Sequence, residues 1–355
     1  VWPWIHTQTT QLRQRLAILC GVPPHRLALT ENVTTGCVLP LWGLPWQEGD
    51  ELLIGDGEHP GVVAACRELA RRERLKVARL AVGSLSCRTS AARIEAAVID
   101  ALEQALGPRT RLVVLSHLLW NTGAVMPIEA VAERLADHPL RPWLLVDAAQ
   151  SVGSLPVEKA APRADIYAFT GHKWCCGPEG LGGVVLSERV LETASPTLIG
   201  WRSLADEGSP GDGFHRDARR FEVATSCIPL FAGLVRSLEL LEAEGTPQER
   251  LARIRERSGE LWRRLADLPA VEPLLAEEPP AGLVSFRLTA GGAERRSNGE
   301  VVERLGAQGI WLRSLENPPC LRACTHITTT QAELEMLVQA LGSLLQDSGD
   351  ASAFR

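Results

Sequence analysis

The sequence lacks the segments that direct a chain into or across a membrane. None of its uncharged apolar runs approaches the ~20 residues that a transmembrane helix needs. A secretory signal pattern is also missing, because the opening Trp2–His6 segment runs into a polar, helix-like stretch. We therefore expect a cytoplasmic protein with no membrane partner.

A basic stripe or tail is missing as well. The 37 Lys and Arg residues are interspersed with 43 Asp and Glu residues, and the formal net charge is -6. Because nucleic-acid binding typically requires a concentrated positive patch, we expect no such partner. With 355 residues, 45% of them hydrophobic, the chain is long enough for a large core and two domains.

The cysteines show no disulfide framework. Nine are scattered along the chain, and an odd number without a secretory signal favours free thiols in a reducing compartment. Cys320, Cys324 and His326 could supply three metal ligands, but no second ligand pair lies at zinc-site spacing. Alternation along a strand that enters the core explains these residues more simply, so we expect no metal.

Short apolar, β-branched runs alternate with amphipathic segments through the first two thirds of the chain. Predicted strands are residues 51–56, 77–80, 111–116, 143–147, 166–169 and 183–186, and a helix is predicted over 90–106. This alternation indicates an α/β fold with a mostly parallel, doubly wound sheet. Ligands bind such sheets at the carboxyl ends of the strands, where His117 and Asp147 fall.

The pattern changes near residue 245. Thr246 and Glu249 form a predicted capping box, with Pro247 at the first helical position. A strand at 283–288, a Gly-rich turn at 291–292, a helix at 301–308 and a last helix capped by Thr330 follow. We predict a large domain over 1–245, a smaller α+β domain over 246–346, and a frayed polar tail over 347–355.

Lys173 and Asp147 form the most informative pair in the chain. Asp147 ends an apolar run, and Lys173 follows some two dozen residues later in a Gly-, Trp- and Cys-flanked segment. A lysine can hold an aldehyde cofactor as a Schiff base, and an Asp can keep a pyridine nitrogen protonated. Pyridoxal phosphate requires both. The alternatives are a surface lysine in a turn and a helix-capping Asp.

Five segments resemble the fold-type-I pyridoxal phosphate enzymes of the class V aminotransferase and cysteine desulfurase group, and they occur in family order. They are residues 30–36, 116–123, 146–153, 170–173 and 220–225. Within this group the chain most resembles the L-cysteine/cystine C-S lyases. The resemblance implies the fold-type-I transferase fold, pyridoxal 5'-phosphate as cofactor, and a homodimer with shared active sites.

The resemblance also implies roles for individual residues. Lys173 would carry the Schiff base, and Asp147 would hold the pyridine nitrogen. Gln150 would bind the phenolic oxygen, and His117 would stack on the ring and assist proton transfer, although a lone strand-end histidine is more often structural. Phosphate contacts would come from a further set: Thr34, Thr35, Thr170, His172 and, from the neighbouring subunit, Thr225. A helix N-terminus at Thr34 would favour the phosphate, and a plain threonine N-cap is the alternative there.

Substrate recognition is assigned to arginine in the same way. Arg322 resembles the residue that grips the substrate α-carboxylate, for which a planar guanidinium is suited. Arg313 would be a second anion contact or a surface salt bridge. Trp201 and Trp120 would wall the pocket or belong to the core.

The interval between the two arginines favours a lyase over a desulfurase. A desulfurase places its nucleophilic cysteine in this interval, but here proline stands at the expected position and Cys320 lies too near Arg322. We therefore predict β-elimination of L-cystine or L-cysteine to pyruvate, ammonia and persulfide or sulfide. Cystine is favoured because a persulfide leaves more readily than a thiolate.

Three alternatives remain beside the lyase. They are a desulfurase, another class V reaction such as transamination or epimerisation, and a non-catalytic scaffold. A sulfur-acceptor protein is a possible partner. Family members usually carry a segment before the equivalent of Trp2 that helps close the substrate site. Since the sequence starts at Val1, we expect either that its start is misassigned or that the site is more open and impaired.

Overall fold

A computed structural model describes residues 1–90, 92–206, 213–289 and 297–346. Two β-sheets organise this part of the chain, one of seven strands and one of four. The predicted turn at 291–292 and the predicted tail at 347–355 lie outside the described residues. No helix in the described ranges combines the length and the apolar character that crossing a membrane requires.

The large sheet is mostly parallel, as predicted. Its strands are β1 (Leu27–Thr30), β2 (Glu51–Gly55), β3 (Lys76–Leu80), β4 (Thr110–Ser116), β5 (Trp143–Asp147), β6 (Ile166–Thr170) and β7 (Gly182–Leu186). They lie in the order β1-β7-β6-β5-β4-β2-β3. Strands β3, β2, β4, β5 and β6 are parallel, whereas β7 is antiparallel to both of its neighbours.

Helices cover both faces of this sheet. They are α1 (Trp2–Leu19), α2 (Val33–Trp42), α3 (Pro60–Glu73), α4 (Gly83–Arg88), α5 (Ile94–Ala105), α6 (Ile128–Ala136), α7 (Glu188–Thr193) and α8 (Ile228–Ala243). Successive residues of β4 enter different cores: Val113 packs in one with α1, α5 and α8, and Val114 packs in the other with α2 and α3. This two-sided burial explains why the strands are continuous apolar runs.

The small sheet is antiparallel, in the order β10-β11-β9-β8. Its strands are β8 (Val271–Pro273), β9 (Leu283–Leu288), β10 (Arg313–Glu316) and β11 (Pro319–Cys324), accompanied by α9 (Pro247–Ala266), α10 (Asn298–Gly306) and α11 (Gln331–Gln346). The predicted capping box of α9 is confirmed. Helix α10 begins at Asn298, earlier than the predicted 301, because Ser297 and Glu300 form a capping box of their own.

One face of β11 packs on these helices and the other faces away. Leu321 and Ala323 lie in the core that α9 and α11 form, whereas Arg322, with Cys320 and Cys324, alternates onto the opposite face. The carboxyl ends of β2, β4, β5 and β6 meet at one edge of the large sheet. The predicted site residues therefore follow neighbouring parallel strands.

Candidate active site

Asp147 is a buried carboxylate at the end of β5. Its side chain is 6% exposed, and its Oδ1 accepts a hydrogen bond of 2.9 Å from the Ala149 amide. Burial raises the pKa of Asp147, against the opposing influence of that bond and of the Lys173 and His59 charges. This bond closes a local turn and is not a helix cap, because the next helical segment in the described residues begins only at Ala161. It engages only one carboxylate oxygen, and none of the described residues hydrogen-bonds the other, which can accept from a partner that donates an N–H.

Lys173 lies in the loop that follows β6. Desolvation lowers the pKa of its amine, nearby Asp147 opposes that shift, and Arg322 and Arg313 add to it. The lysine therefore faces both the carboxylate of the large sheet and the arginines of the small sheet. Lys173 is exposed on a bend, as the surface-turn alternative expects, but unlike an isolated surface lysine its amine lies within the influence of these three charges. A lowered pKa increases the fraction of neutral amine, which is the form that attacks an aldehyde and accepts a proton.

His117 follows β4 and is neutral at pH 7. Its backbone N–H donates to the Asp147 carbonyl oxygen at 3.0 Å, and its Nδ1 lies 2.7 Å from the Tyr167 hydroxyl. Burial lowers the pKa of the imidazole to about 4. A neutral, fixed ring beside Asp147 is suited to stacking on a protonated pyridine.

Four of the five predicted phosphate contacts lie in two places, the end of β6 with the loop after it, and helix α2. In the β6 loop, Thr170 Oγ1 lies 2.7 Å from His172 Nδ1. In α2 the N-cap is Asn32, whose Oδ1 accepts a bond of 2.9 Å from the Thr35 amide. The threonine N-cap alternative for Thr34 is thus wrong, because that residue lies within the first turn. Its position at a positive helix end agrees with an anion contact.

Thr225 and Trp201 lie together, apart from this group. The Trp201 indole N–H donates to Thr225 Oγ1 at 3.2 Å, and the Trp201 ring meets Trp2 edge to face at 6.2 Å. Across the described ranges, neither residue forms a hydrogen bond or a ring contact with Lys173 or Arg322. Their predicted roles, in a neighbouring subunit's phosphate site and in the pocket wall, stay predictions.

Arg322 and Arg313 stand directly opposite each other on β11 and β10. Arg322 Nη1 donates a hydrogen bond to the Trp120 carbonyl oxygen. Arg322 Nε and Trp120 Nε1 are buried and have no hydrogen-bond partner among the described residues. Arg313 is exposed, and none of the acidic side chains in the described ranges lies within ion-pair distance of it. The salt-bridge alternative for Arg313 is therefore not realised here. Two adjacent guanidinium groups without a carboxylate are suited to an incoming one.

His59 belongs to the same region, although sequence reasoning missed it. It follows the carboxyl end of β2, its ring lies 5.3 Å from that of Trp120, and burial lowers its pKa. The charges of Asp147, Lys173 and Arg313 all act on it. The sequence signal that could have identified His59 is its position just after a parallel strand, where ligands bind such sheets.

Comparison with known proteins agrees with this geometry. The family model described as aminotransferase class-V matches residues 4–339, which is nearly the whole chain. The chain belongs to the aminotransferase class-V family. Pyridoxal phosphate is the cofactor of this class V enzyme, and the fold is that of the fold-type-I members.

Relatives of the class V enzyme have different activities. Isopenicillin N epimerase of Streptomyces clavuligerus is 32% identical, with 94% of this chain and 84% of the relative aligned. A protein named probable cysteine desulfurase, from Mycolicibacterium paratuberculosis, is 31% identical over 86% of this chain and 42% of its own length. The cystine C-S lyase C-DES, solved with its reaction product cysteine persulfide, is 40% identical with a TM-score of 0.88, covering 96% of this chain and 87% of C-DES.

The residues of the class V enzyme suit pyridoxal phosphate. A buried Asp147 with one oxygen unengaged can accept the pyridine N–H, and the Gln150 amide nitrogen forms no hydrogen bond within the described residues. Lys173 can link to the aldehyde, while Thr34 and His172 would lie at the phosphate. Arg322 Nε is buried and has no partner among the residues that the structure describes, which is consistent with a carboxylate beside the cofactor.

A second buried carboxyl, Glu58, was also missed from the sequence. It accepts hydrogen bonds from the Ser116 amide at 2.9 Å and from Ser116 Oγ at 2.7 Å. Burial, with repulsion from Asp147 and Asp56, raises the pKa of Glu58 from 4.5 to about 8. The carboxyl therefore carries a proton at neutral pH in the folded protein. That neutral form limits the negative charge next to Asp147.

We expect Glu58→Gln to flatten the pH dependence of stability. A raised carboxyl pKa gives stability that is complete below 4.5 and lost as the pH rises through about 8. Denaturant unfolding across this window should show the wild-type free energy of unfolding falling relative to the variant. The exposed Glu48→Gln variant serves as the control. Parallel profiles for wild type and Glu58→Gln would contradict the prediction.

Proposed function

We propose that the protein is a carbon-sulfur lyase that performs β-elimination on L-cystine, and on L-cysteine more slowly. The products are pyruvate, ammonia and cysteine persulfide from cystine, or sulfide from cysteine. The burial of Cys320 carries this proposal, because it removes the thiol that a desulfurase would use. The similarity to C-DES supports the same choice.

Cys320 is unsuited to attack a substrate sulfur. Its side chain is 0% exposed and packs with Leu274 and Leu315, and burial raises its pKa to about 11. The thiolate, which is the nucleophile, is therefore scarce at neutral pH. Cys324 is exposed, but it follows Arg322 instead of preceding it, and desolvation raises its pKa as well.

Each of the site's charged side chains would have a separate role in the elimination. Arg322 and Arg313 would bind the substrate carboxylate and so fix the orientation of the Cα–H bond. Lys173, with its lowered pKa, would take the α-proton, and Asp147 would keep the pyridine nitrogen protonated. When bound, pyridoxal phosphate supplies the electron sink for the α-carbanion. The Cβ–S bond then breaks with its electron pair on sulfur, and water converts the remaining fragment to pyruvate and ammonia.

We also propose a cytoplasmic homodimer with shared active sites and a large domain that ends near residue 245. Large apolar side chains near Thr225 support the dimer, since Trp2 is 69% exposed and Trp201 is 37% exposed. Exposed aromatic side chains of this kind commonly mark interfaces. A sulfur-acceptor protein would then take the persulfide from the site.

Product analysis tests the lyase assignment. With pyridoxal phosphate and L-cystine, we expect pyruvate and persulfide in equal amounts, and faster turnover than with L-cysteine. Cys320→Ala and Cys324→Ala should each keep pyruvate formation within about twofold, since neither thiol takes part in the chemistry. Alanine as the product, lost in either cysteine variant, would show a desulfurase. An amino acid returned with inverted configuration would show an epimerase.

A further inference from the structure

We propose that Trp174 is a positioning residue that fixes the orientation of the Gln150 amide at the cofactor. The inference rests on the proposed contact between Gln150 and the cofactor's phenolic oxygen. It does not depend on which amino acid is the substrate. Trp174 follows the proposed catalytic lysine directly, yet its indole points into the protein and is 2% exposed.

The hydrogen bond between the two side chains has only one possible direction. Trp174 Nε1 lies 2.8 Å from Gln150 Oε1, and Gln150 is 8% exposed. An indole N–H can only donate, so the amide oxygen must face Trp174. The amide nitrogen is thereby turned to the opposite side, where none of the described residues forms a hydrogen bond with it. Without the indole donor, the two ends of the amide would differ little in shape, and either could face the cofactor.

The indole itself is held from several sides. A β-carbon added at Gly153, whose φ is +96°, would lie 2.6 Å from the Trp174 backbone. One added at Gly282 would lie 2.5 Å from the indole ring, so both glycines allow close packing around Trp174. The His326 ring stacks on the indole at 5.5 Å with an interplanar angle of 27°. Gly282 precedes β9 and His326 follows β11, so the small sheet fixes a side chain that in turn fixes a cofactor contact. The Gln150 backbone is held too, because its carbonyl oxygen accepts a bond of 2.6 Å from Ser154 Oγ.

A fixed amide donor has a measurable consequence for the bound cofactor. An N–H bond to the phenolic oxygen stabilises the ionised oxygen, and so favours the deprotonated form of the lysine-linked cofactor. Losing that donor raises the pH at which the visible absorbance changes. A tryptophan that served packing alone would leave this pH unchanged.

Absorbance titration of the purified holoenzyme tests the proposal. Gln150→Leu should raise the titration midpoint by about one pH unit, the size expected for a hydrogen bond to a charged group. Trp174→Phe should raise it in the same direction, and the double variant should shift no further than Gln150→Leu alone. Trp262→Phe is the matched control, because it removes an indole donor that binds the Leu275 carbonyl oxygen at 3.1 Å.

Two outcomes would overturn the proposal. One is a Trp174→Phe midpoint equal to that of Trp262→Phe, and the other is a double-variant shift equal to the sum of the single shifts. If Trp174→Phe does not fold, the NMR signals of the ten tryptophan indole N–H groups provide the test instead. Gln150→Leu must then displace one such signal, and ten unchanged signals would refute the contact. The resting spectrum needs no turnover, so a failure of the cystine assignment alone leaves this test valid.

Discussion

Lys173→Ala is expected to abolish turnover of cystine together with the absorbance band of the lysine-linked cofactor. The variant loses both the amine that we propose binds the aldehyde and the base that we propose takes the α-proton. Removing a positioned proton-transfer group alone costs about 10²- to 10⁴-fold in rate. Pyruvate formation and the visible spectrum are the two measurements. Since Lys173 is exposed and contributes little to the core, the fold and its unfolding temperature should change little.

The chain offers a clean control for this experiment, because it contains only three lysines: Lys76, Lys159 and Lys173. Lys159 is exposed on the surface, and Lys159→Ala should match the wild type. Borohydride reduction of the wild-type holoenzyme, followed by peptide mass spectrometry, should find the cofactor on Lys173 alone. Cofactor on either other lysine, or a Lys173→Ala variant with wild-type turnover, would contradict the assignment.

Local pattern was sufficient to predict much of the large sheet. The apolar run that ends at Asp147 matches β5 residue for residue, since a strand buried on both faces leaves a continuous signal. The same signal put His117 and Asp147 at the carboxyl edge. Strand β1 was missed because its four residues carry little pattern, and its position depends on antiparallel pairing with β7 far along the chain.

Local sequence patterns did not predict the contacts between distant segments. The register that sets Arg313 opposite Arg322 depends on the turn between β10 and β11. Trp174 was not singled out, because its partner Gln150 and its neighbour His326 are brought to it only by the fold. Glu58 looked like an ordinary polar loop residue. Its burial against Ser116, which raises its pKa, is a tertiary property.

Arg322→Met is expected to lower kcat/KM for cystine by about 10²- to 10³-fold. Losing one partner of a buried, hydrogen-bonded charge pair costs roughly 2–5 kcal/mol, and each 1.36 kcal/mol is about tenfold in rate. Lysine cannot restore two parallel hydrogen bonds, so Arg322→Lys should recover only a minor part. Steady-state kinetics should show the loss largely in KM, if the arginine binds substrate and transition state alike. Some stability is also expected to be lost, because the Trp120 carbonyl oxygen loses its donor.

Arg313→Met tests carboxylate binding separately from protein stability. Arg313 lacks the Trp120 contact and lies exposed opposite Arg322. Like charges directly opposite on a ladder destabilise it, so removing one should keep or slightly raise the unfolding temperature without substrate. If both arginines receive the carboxylate, kcat/KM should nevertheless fall about tenfold, the size of one charged hydrogen bond. A variant with lower stability and unchanged kinetics would make Arg313 structural. A loss equal to that of Arg322→Met would instead make the two arginines equal partners in carboxylate binding.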